Sequence, residues 1–387
     1  MPPKPHKPYN GLPDLPPPID IETKAILKRC VPARAAIAEL RLAGELIPDQ
    51  SVLINTIPLL ETKDSLKIEN IITTNDALFR AASLPDDHSD SNTKEAKLYR
   101  SALYSGLQSL KQRPLTTRTV IEVCSTIKGV DMDVRKTPGT ALQNKETGEI
   151  IYTPPEGEHL LREKLKNWET FLNDDNDIDP LVRMAVLHYQ FEAIHPFIDG
   201  NGRTGRVLNL LYLTQAGLLD IPTLYLSRYI LKTKADYFSQ LANVTYKAEW
   251  EAWIIYMLGA VETTANWTNQ RIRAIRSLMD HTTEHIKTHA SKVYSHELIK
   301  IVFAHPYIRI SHLINQGIAK RVAASRYLKQ LATIGVLEEE KVGRDKFFVH
   351  KKYMALLVSD EHTFEPYPKL ATNKPAAKKK QKRQNKS

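Results

Sequence analysis

His195-Pro196-Phe197-Ile198-Asp199-Gly200-Asn201-Gly202-Arg203-Thr204-Gly205-Arg206 brings an imidazole, a lone carboxylate, three glycines and two guanidiniums into one short stretch. Apolar, helix-spaced segments flank it. Pro180 to Ile194 comes before, with Met184, Val186, Leu187 and Phe191; Val207, Leu208, Leu210, Leu211 and Leu213 follow. The stretch therefore reads as a loop between two buried helices that runs into the start of the second. A helix start presents free backbone N–H groups and the positive end of the helix dipole, so such a place suits an anion.

Each residue type has a chemical reason to be there. Gly200, Gly202 and Gly205 permit positive φ and close approach of backbone to phosphate oxygens. Arg203 and Arg206 stand three apart, on one side of a helix start, where each can grip a phosphate bidentately. Asp199 is a single hard oxygen ligand of the kind that shares Mg²⁺ with substrate phosphates. His195 titrates near neutrality and can take a proton from an attacking hydroxyl, and Pro196 fixes the backbone beside it. A Ca²⁺ loop would need carboxylates where Arg203 and Arg206 stand, and a Walker A loop would need Gly-Lys-Ser/Thr.

The stretch resembles the motif of the Fic family, H-x-F-x-D-G-N-G-R-x-G-R, at every fixed position. The resemblance implies a mainly α fold, a Fic-type helical core with a β-hairpin flap, and transfer of AMP from ATP to a hydroxyl side chain of a protein. It makes His195 the general base and Asp199 the Mg²⁺ ligand. Gly200, Asn201 and Gly202 become the anion nest, with Arg203, Thr204, Gly205 and Arg206 completing the nucleotide site. Related Doc-type kinases carry Ala and Lys where this chain has Gly200 and Gly202, which favours AMP transfer over phosphate transfer.

Three further stretches join the reading. Ser65-Leu66-Lys67-Ile68-Glu69-Asn70 resembles the family's inhibitory pattern S/T-x-x-x-E-G/N, which implies that Glu69 pairs with Arg206 and blocks the ATP γ-phosphate. The stretch 134–155 reads as a hairpin, with strands Gly139–Asn144 and Glu149–Pro154 around a turn containing Gly148. Its family position implies a target-docking flap, with Leu142, Ile150 and Tyr152 registering the acceptor. Downstream, Tyr237 and Phe238 are candidates to stack adenine, whereas Trp250 and Trp253 are expected in the core.

The organisation is read as a proline-rich arm (1–21), an N-terminal helical region (22–110), a catalytic domain (111–289), a small winged helix-turn-helix domain (290–357) and a basic tail (358–387). In the fourth part, Ile310–Leu313 starts a short helix, Gln316-Gly317 turns, and Ala319–Ile334 follows with Lys320, Arg321, Ser325, Arg326 and Lys329 on its outer side. Winged helices serve both DNA and protein partners, and both stay open. The net charge is +10, of which seven charges lie between Lys374 and Lys386 with no acid among them. Two cysteines, Cys30 and Cys124, give no disulfide framework, and no stretch is apolar enough to span a bilayer, so a cytoplasmic protein is expected. By resemblance a homodimer is expected too. Two alternative readings stand beside AMP transfer: a DNA-associated nucleotide sensor, and a bifunctional enzyme that also removes AMP.

Overall fold

The computed structural model describes residues 3–47, 49–84, 91–143, 147–175, 177–342 and 345–368. The fold is mainly helical, with two small sheets among these residues. At its centre lies α8 (Pro180–Ile194), in which every residue except Pro180 and Glu192 is buried. A helix apolar on all sides must be wrapped by others, and this one is. The indole of Trp168, on α7 (Glu158–Asn173), donates to the Leu187 carbonyl at 3.0 Å. Trp253, on the forty-residue α12 (Trp250–His289), donates to the Ala185 carbonyl at 2.8 Å. Trp250 and Trp253 are thus core residues, as the sequence indicates.

The N-terminal helices are α1 (Lys24–Glu45), α2 (Ser51–Ile54), α3 (Ile57–Ile68), α4 (Asn75–Ala82) and α5 (Ser91–Leu110). Thr23 caps α1 by accepting from the Ile26 N–H, and Ile26, Cys30, Ala33, Ile37 and Leu40 form its buried stripe. α1 packs along α12, so the N-terminal region and the central bundle share one core. The bundle continues with α6 (Thr117–Lys128), α9 (Asn201–Gln215), α10 (Leu226–Lys232) and α11 (Lys234–Lys247).

The proline-rich arm docks rather than projects. Leu12 and Leu15 are buried, and Asn167 of α7 binds both the Leu15 N–H (2.7 Å) and its carbonyl (3.0 Å). The hairpin is shorter than expected: β1 (Leu142–Gln143) pairs antiparallel with β2 (Ile150–Tyr152), with an irregular register at Leu142/Gln143.

Beyond α12 the order is α13 (His296–Ala304), β3 (Tyr307–Ile308), α14 (Ile310–Asn315), α15 (Arg321–Thr333), β4 (Glu338–Val342), β5 (Asp345–Val349) and α16 (Lys351–Val358). β5 lies between β3 and β4, antiparallel to both. Gly317, at φ 68°, makes the turn between α14 and α15. The two-residue β3 carries no period that a sequence reading can detect, and it was not expected. Lys320 is the N-cap of α15, not a residue on its face. No helix among the described residues is long and apolar enough to cross a membrane.

Candidate functional site

α8 ends at His195, whose backbone is left-handed (φ 48°, ψ 59°). Proline at the next position disfavours a right-handed helical residue there, and the unusual backbone of His195 is pinned from outside. The Nε of Arg135 donates to the His195 carbonyl and the Arg135 N–H to the Pro196 carbonyl, both at 2.9 Å. Arg135 is buried, and its guanidinium also bonds the Pro155 carbonyl, tying the motif loop to the base of the hairpin. Burial, and then the Arg135 charge, pull the His195 imidazole down to about 4. It is therefore neutral at physiological pH, the state in which it can accept a proton.

Two of the three glycines work differently from the sequence reading. Gly200 alone has positive φ (86°) and caps α9; Gly202 and Gly205 lie inside the helix. A Cβ on Gly205 would meet Glu192 Oε1 at 2.7 Å and the Phe191 ring at 3.1 Å, so that glycine serves the packing of α9 on α8. A Cβ on Gly202 would meet Glu69 Oε1 at 2.5 Å. The Asn201 side chain is engaged within the motif. It bridges back to Phe197, accepting from its N–H (2.9 Å) and donating to its carbonyl (2.8 Å), which closes the loop. Thr204 is buried.

Both motif arginines are buried and both meet carboxylates from the N-terminal helices. Arg206 donates from Nη2 to Glu69 Oε1 (2.9 Å) and to the Ser65 carbonyl (3.1 Å), and from Nε to Ser65 Oγ (2.8 Å). Burial works against the Arg206 charge, but Glu69 beside it raises its pKa above the ordinary value. Arg203 donates to Glu95 Oε2 at 2.6 Å and lies 3.6 Å from Asp199 Oδ1. Glu95 was not expected. It is on α5, 108 residues from its partner, and no local pattern marks it.

A helix ending explains how Glu69 is held. Glu69 is the C-cap of α3, and Asn70 follows at φ 63°. The Asn70 N–H bonds the Lys67 carbonyl and the Ile71 N–H bonds the Leu66 carbonyl, each at 3.0 Å. That is a Schellman ending, which requires glycine or asparagine after the glutamate. Its apolar contact is present too: Ile71 packs on a small cluster of Leu66, Leu78 and Ala96. Those residues come from α3, α4 and α5, so one cluster steadies the segments carrying Glu69 and Glu95. Asn70 also accepts from Lys234 Nζ at 3.3 Å.

Asp199 keeps a side chain 59% exposed. Burial raises its pKa, but Lys128 on Oδ2, Arg203 nearby and the Gly200 N–H on Oδ1 hold it below the ordinary value. Among the described residues no group of three or more His, Cys, Asp or Glu side chains is arranged to hold a metal. A cation here would take one protein carboxylate and its remaining ligands from elsewhere.

The outlying candidates divide. Tyr237 is buried with its hydroxyl on His188 Nε2 (2.9 Å), so its ring is not available for stacking, whereas Phe238 is 46% exposed. In the hairpin, Tyr152 turns inward and donates to the Ala193 carbonyl (2.8 Å), and Leu142 and Ile150 are half-buried. Ile151 is an exposed apolar side chain on β2, and its carbonyl accepts from the Tyr246 hydroxyl (2.5 Å).

Comparison with known proteins gives three matches in series. Residues 27–108 match the Fic/DOC family N-terminal model, 114–213 the Fic/DOC family model, and 278–353 the C-terminal domain of SoFic-like protein adenylyltransferases. The chain is 36% identical over 127 residues to protein adenylyltransferase fic-1 of Caenorhabditis elegans, covering 30% of this chain and 24% of that one. It is 41% identical over 64 residues to a probable protein adenylyltransferase of Aquifex aeolicus, covering 16% and 19%. It thus spans about a quarter or less of the length of these curated relatives. A Fic family protein from Desulfovibrio desulfuricans shares the fold over 86% of this chain and 98% of its own, at 18% identity and a TM-score of 0.56.

Proposed function

The chain belongs to the Fic/DOC family, and on that premise we propose that it is a protein adenylyltransferase held inactive by its own Glu69. A hydroxyl of a target protein attacks the α-phosphorus of ATP, the bond from that phosphorus to the pyrophosphate oxygen breaks, and AMP remains esterified to the target. The hydroxyl proton passes to the His195 imidazole. The observation that carries this reading is a neutral imidazole at one end of the loop 195–200, with the buried Arg203 and Arg206 on the helix that opens at the other. Those guanidiniums suit the charge that spreads over the transferring phosphates.

Asp199 fits Mg²⁺ as a single exposed hard-oxygen ligand, and it already attracts the Lys128 ammonium to Oδ2. When bound there, the ion would neutralise phosphate charge and orient the pyrophosphate leaving group. Arg135 acts at a distance by fixing the backbone that presents His195. Glu69 occupies the Arg206 fork that would otherwise hold a terminal phosphate, which supports autoinhibition. The order α13-β3-α14-α15-β4-β5 supports a winged-helix reading of the C-terminal part, with β4 and β5 as its wing.

The test is incubation of wild type, Glu69→Gly and His195→Ala with Mg²⁺ and ATP labelled at the α-phosphate, read by intact mass. A gain of one AMP on Glu69→Gly, absent from His195→Ala, is the expected result and would also establish autoAMPylation. A gain of one unlabelled phosphate instead of AMP, or label surviving in His195→Ala, would overturn the mechanism.

A further inference from the structure

α15 is a two-sided helix with only one side occupied. Ala324, Leu328 and Leu331 are buried, and the helix rests on α14 and β4. The opposite side carries Arg321, Val322, Arg326 and Lys329, all exposed, with Val322 85% exposed. The spacing 322, 326, 329 makes a single stripe along a helix.

The charge on that face has one sign. From Leu298 to Leu337 the sequence has no Asp or Glu, against Lys300, Arg309, Lys320, Arg321, Arg326 and Lys329. Arg309 is neutralised by Asp345 at 2.6 Å. Among the described residues Lys320, Arg321, Arg326 and Lys329 have no carboxylate partner. The nearest acidic run, on β4, is largely spent elsewhere: Glu339 pairs with Lys346 and Glu340 with Lys351.

The sequence after the described residues adds charge of the same sign. The Tyr367 ring stacks on His285 at 4.4 Å, and His285 Nε2 bonds the carbonyl of Ile334, the C-cap of α15. The described chain therefore ends at Pro368 beside α15, and the sequence beyond it carries eight Lys and Arg and no Asp or Glu.

We propose that the outer face of α15 binds duplex DNA. A protein partner would call for an apolar centre and few lysines; here one valine stands among three cations without a carboxylate partner, Arg321, Arg326 and Lys329. Duplex RNA is excluded by shape, because its deep, narrow major groove does not admit a helix. A DNA major groove, about 12 Å wide, does, and an exposed aliphatic side chain can meet a thymine methyl there. The net charge of the sequence beyond Pro368 adds sequence-independent attraction to the phosphates. The surface is separate from the AMP-transfer site, and its test does not depend on transfer.

Fluorescence anisotropy of the full chain with a labelled random-sequence 30-base-pair duplex, at several salt concentrations, measures the binding. We expect R326E/K329E to weaken it at least about tenfold and to flatten the salt dependence, since each lost phosphate contact removes roughly one unit of slope. The melting temperature of the variant, unchanged because both side chains are exposed, shows that it folds. Truncation after Pro368 weakens binding further. No binding by wild type at low salt would overturn the proposal, and so would R326E/K329E binding as tightly as wild type while truncation abolishes binding. Binding of an acidic protein with no binding of duplex would likewise overturn it.

Discussion

Replacing Glu69 by Gln keeps the shape of the helix ending and removes only the charge that holds Arg206. The bond is 2.9 Å long, to a guanidinium 1% exposed, from a carboxylate whose own side chain is 36% exposed. Hydrogen bonds to charged groups contribute about 1.5–3 kcal/mol, and water around the partly exposed Glu69 argues for the lower half of that range. About 1.5–2 kcal/mol corresponds to roughly 10–30-fold in an equilibrium. That is the gain in ATP affinity expected when the terminal phosphate no longer competes with a carboxylate. Calorimetry in a His195→Ala background separates binding from turnover, so His195→Ala/Glu69→Gln is compared with His195→Ala alone. A second signature follows from burial. With Gln at position 69 the buried Arg206 charge loses its ion-pair partner and keeps hydrogen bonds to neutral groups, Ser65 Oγ and the Ser65 carbonyl among them, so the ligand-free protein loses stability and ATP restores more of it. The reasoning is refuted if the two proteins bind ATP equally and show the same thermal shift on adding it.

Three other expectations follow. Glu95→Gln should release Arg203 as Glu69→Gln releases Arg206, and the double variant should transfer AMP faster than either single one; a double variant no faster than Glu69→Gln would show that Glu95 stays on Arg203 during the reaction. Because burial, then Arg135, lower His195 to about 4, its imidazole stays neutral, and thus basic, down to nearly that pH. Transfer measured as kcat/KM should therefore stay level from pH 8 to about 5.5 in the ionisation of this group, and a fall centred on the ordinary histidine value of about 6.5 would contradict the burial argument. Tyr307→Phe removes the hydroxyl that bonds Asp76 on α4, while its carbonyl still accepts from Ser83 at 2.7 Å. Loosening α4, which follows the Glu69 segment, should raise basal AMP labelling about two- to fivefold, the size of one ordinary hydrogen bond.

What could be read from the sequence was what is contiguous in it. α8, the loop 195–200 and the start of α9 lie in one stretch, and their apolar spacing and glycines point the same way, so the centre of the site was legible. Asn70 was legible only as a motif letter; its reason is the left-handed position after the Glu69 cap, which emerges once Ile71 is seen packing back on Leu66. Arg135 and Glu95 were not legible, because each meets its partner across 60 and 108 residues of chain and nothing near either demands a charge there. Tyr237 and Phe238 were ambiguous for another reason. Neighbours on a helix point about 100° apart, so one of an adjacent aromatic pair turns inward, and only the packing against Trp253 and His188 decides which. The glycines carry a packing reason that the sequence does not display. Gly202 and Gly205 invite a phosphate-loop reading, but both sit in regular helix, where the missing Cβ makes room for Glu69 in one case and for Glu192 and Phe191 in the other. On the proposed reading, the same absent methyl that would admit a phosphate admits the carboxylate that excludes it. The proposed brake then has Glu69 and a terminal phosphate competing for one space at Arg206, which is the physical requirement for its displacement by a nucleotide.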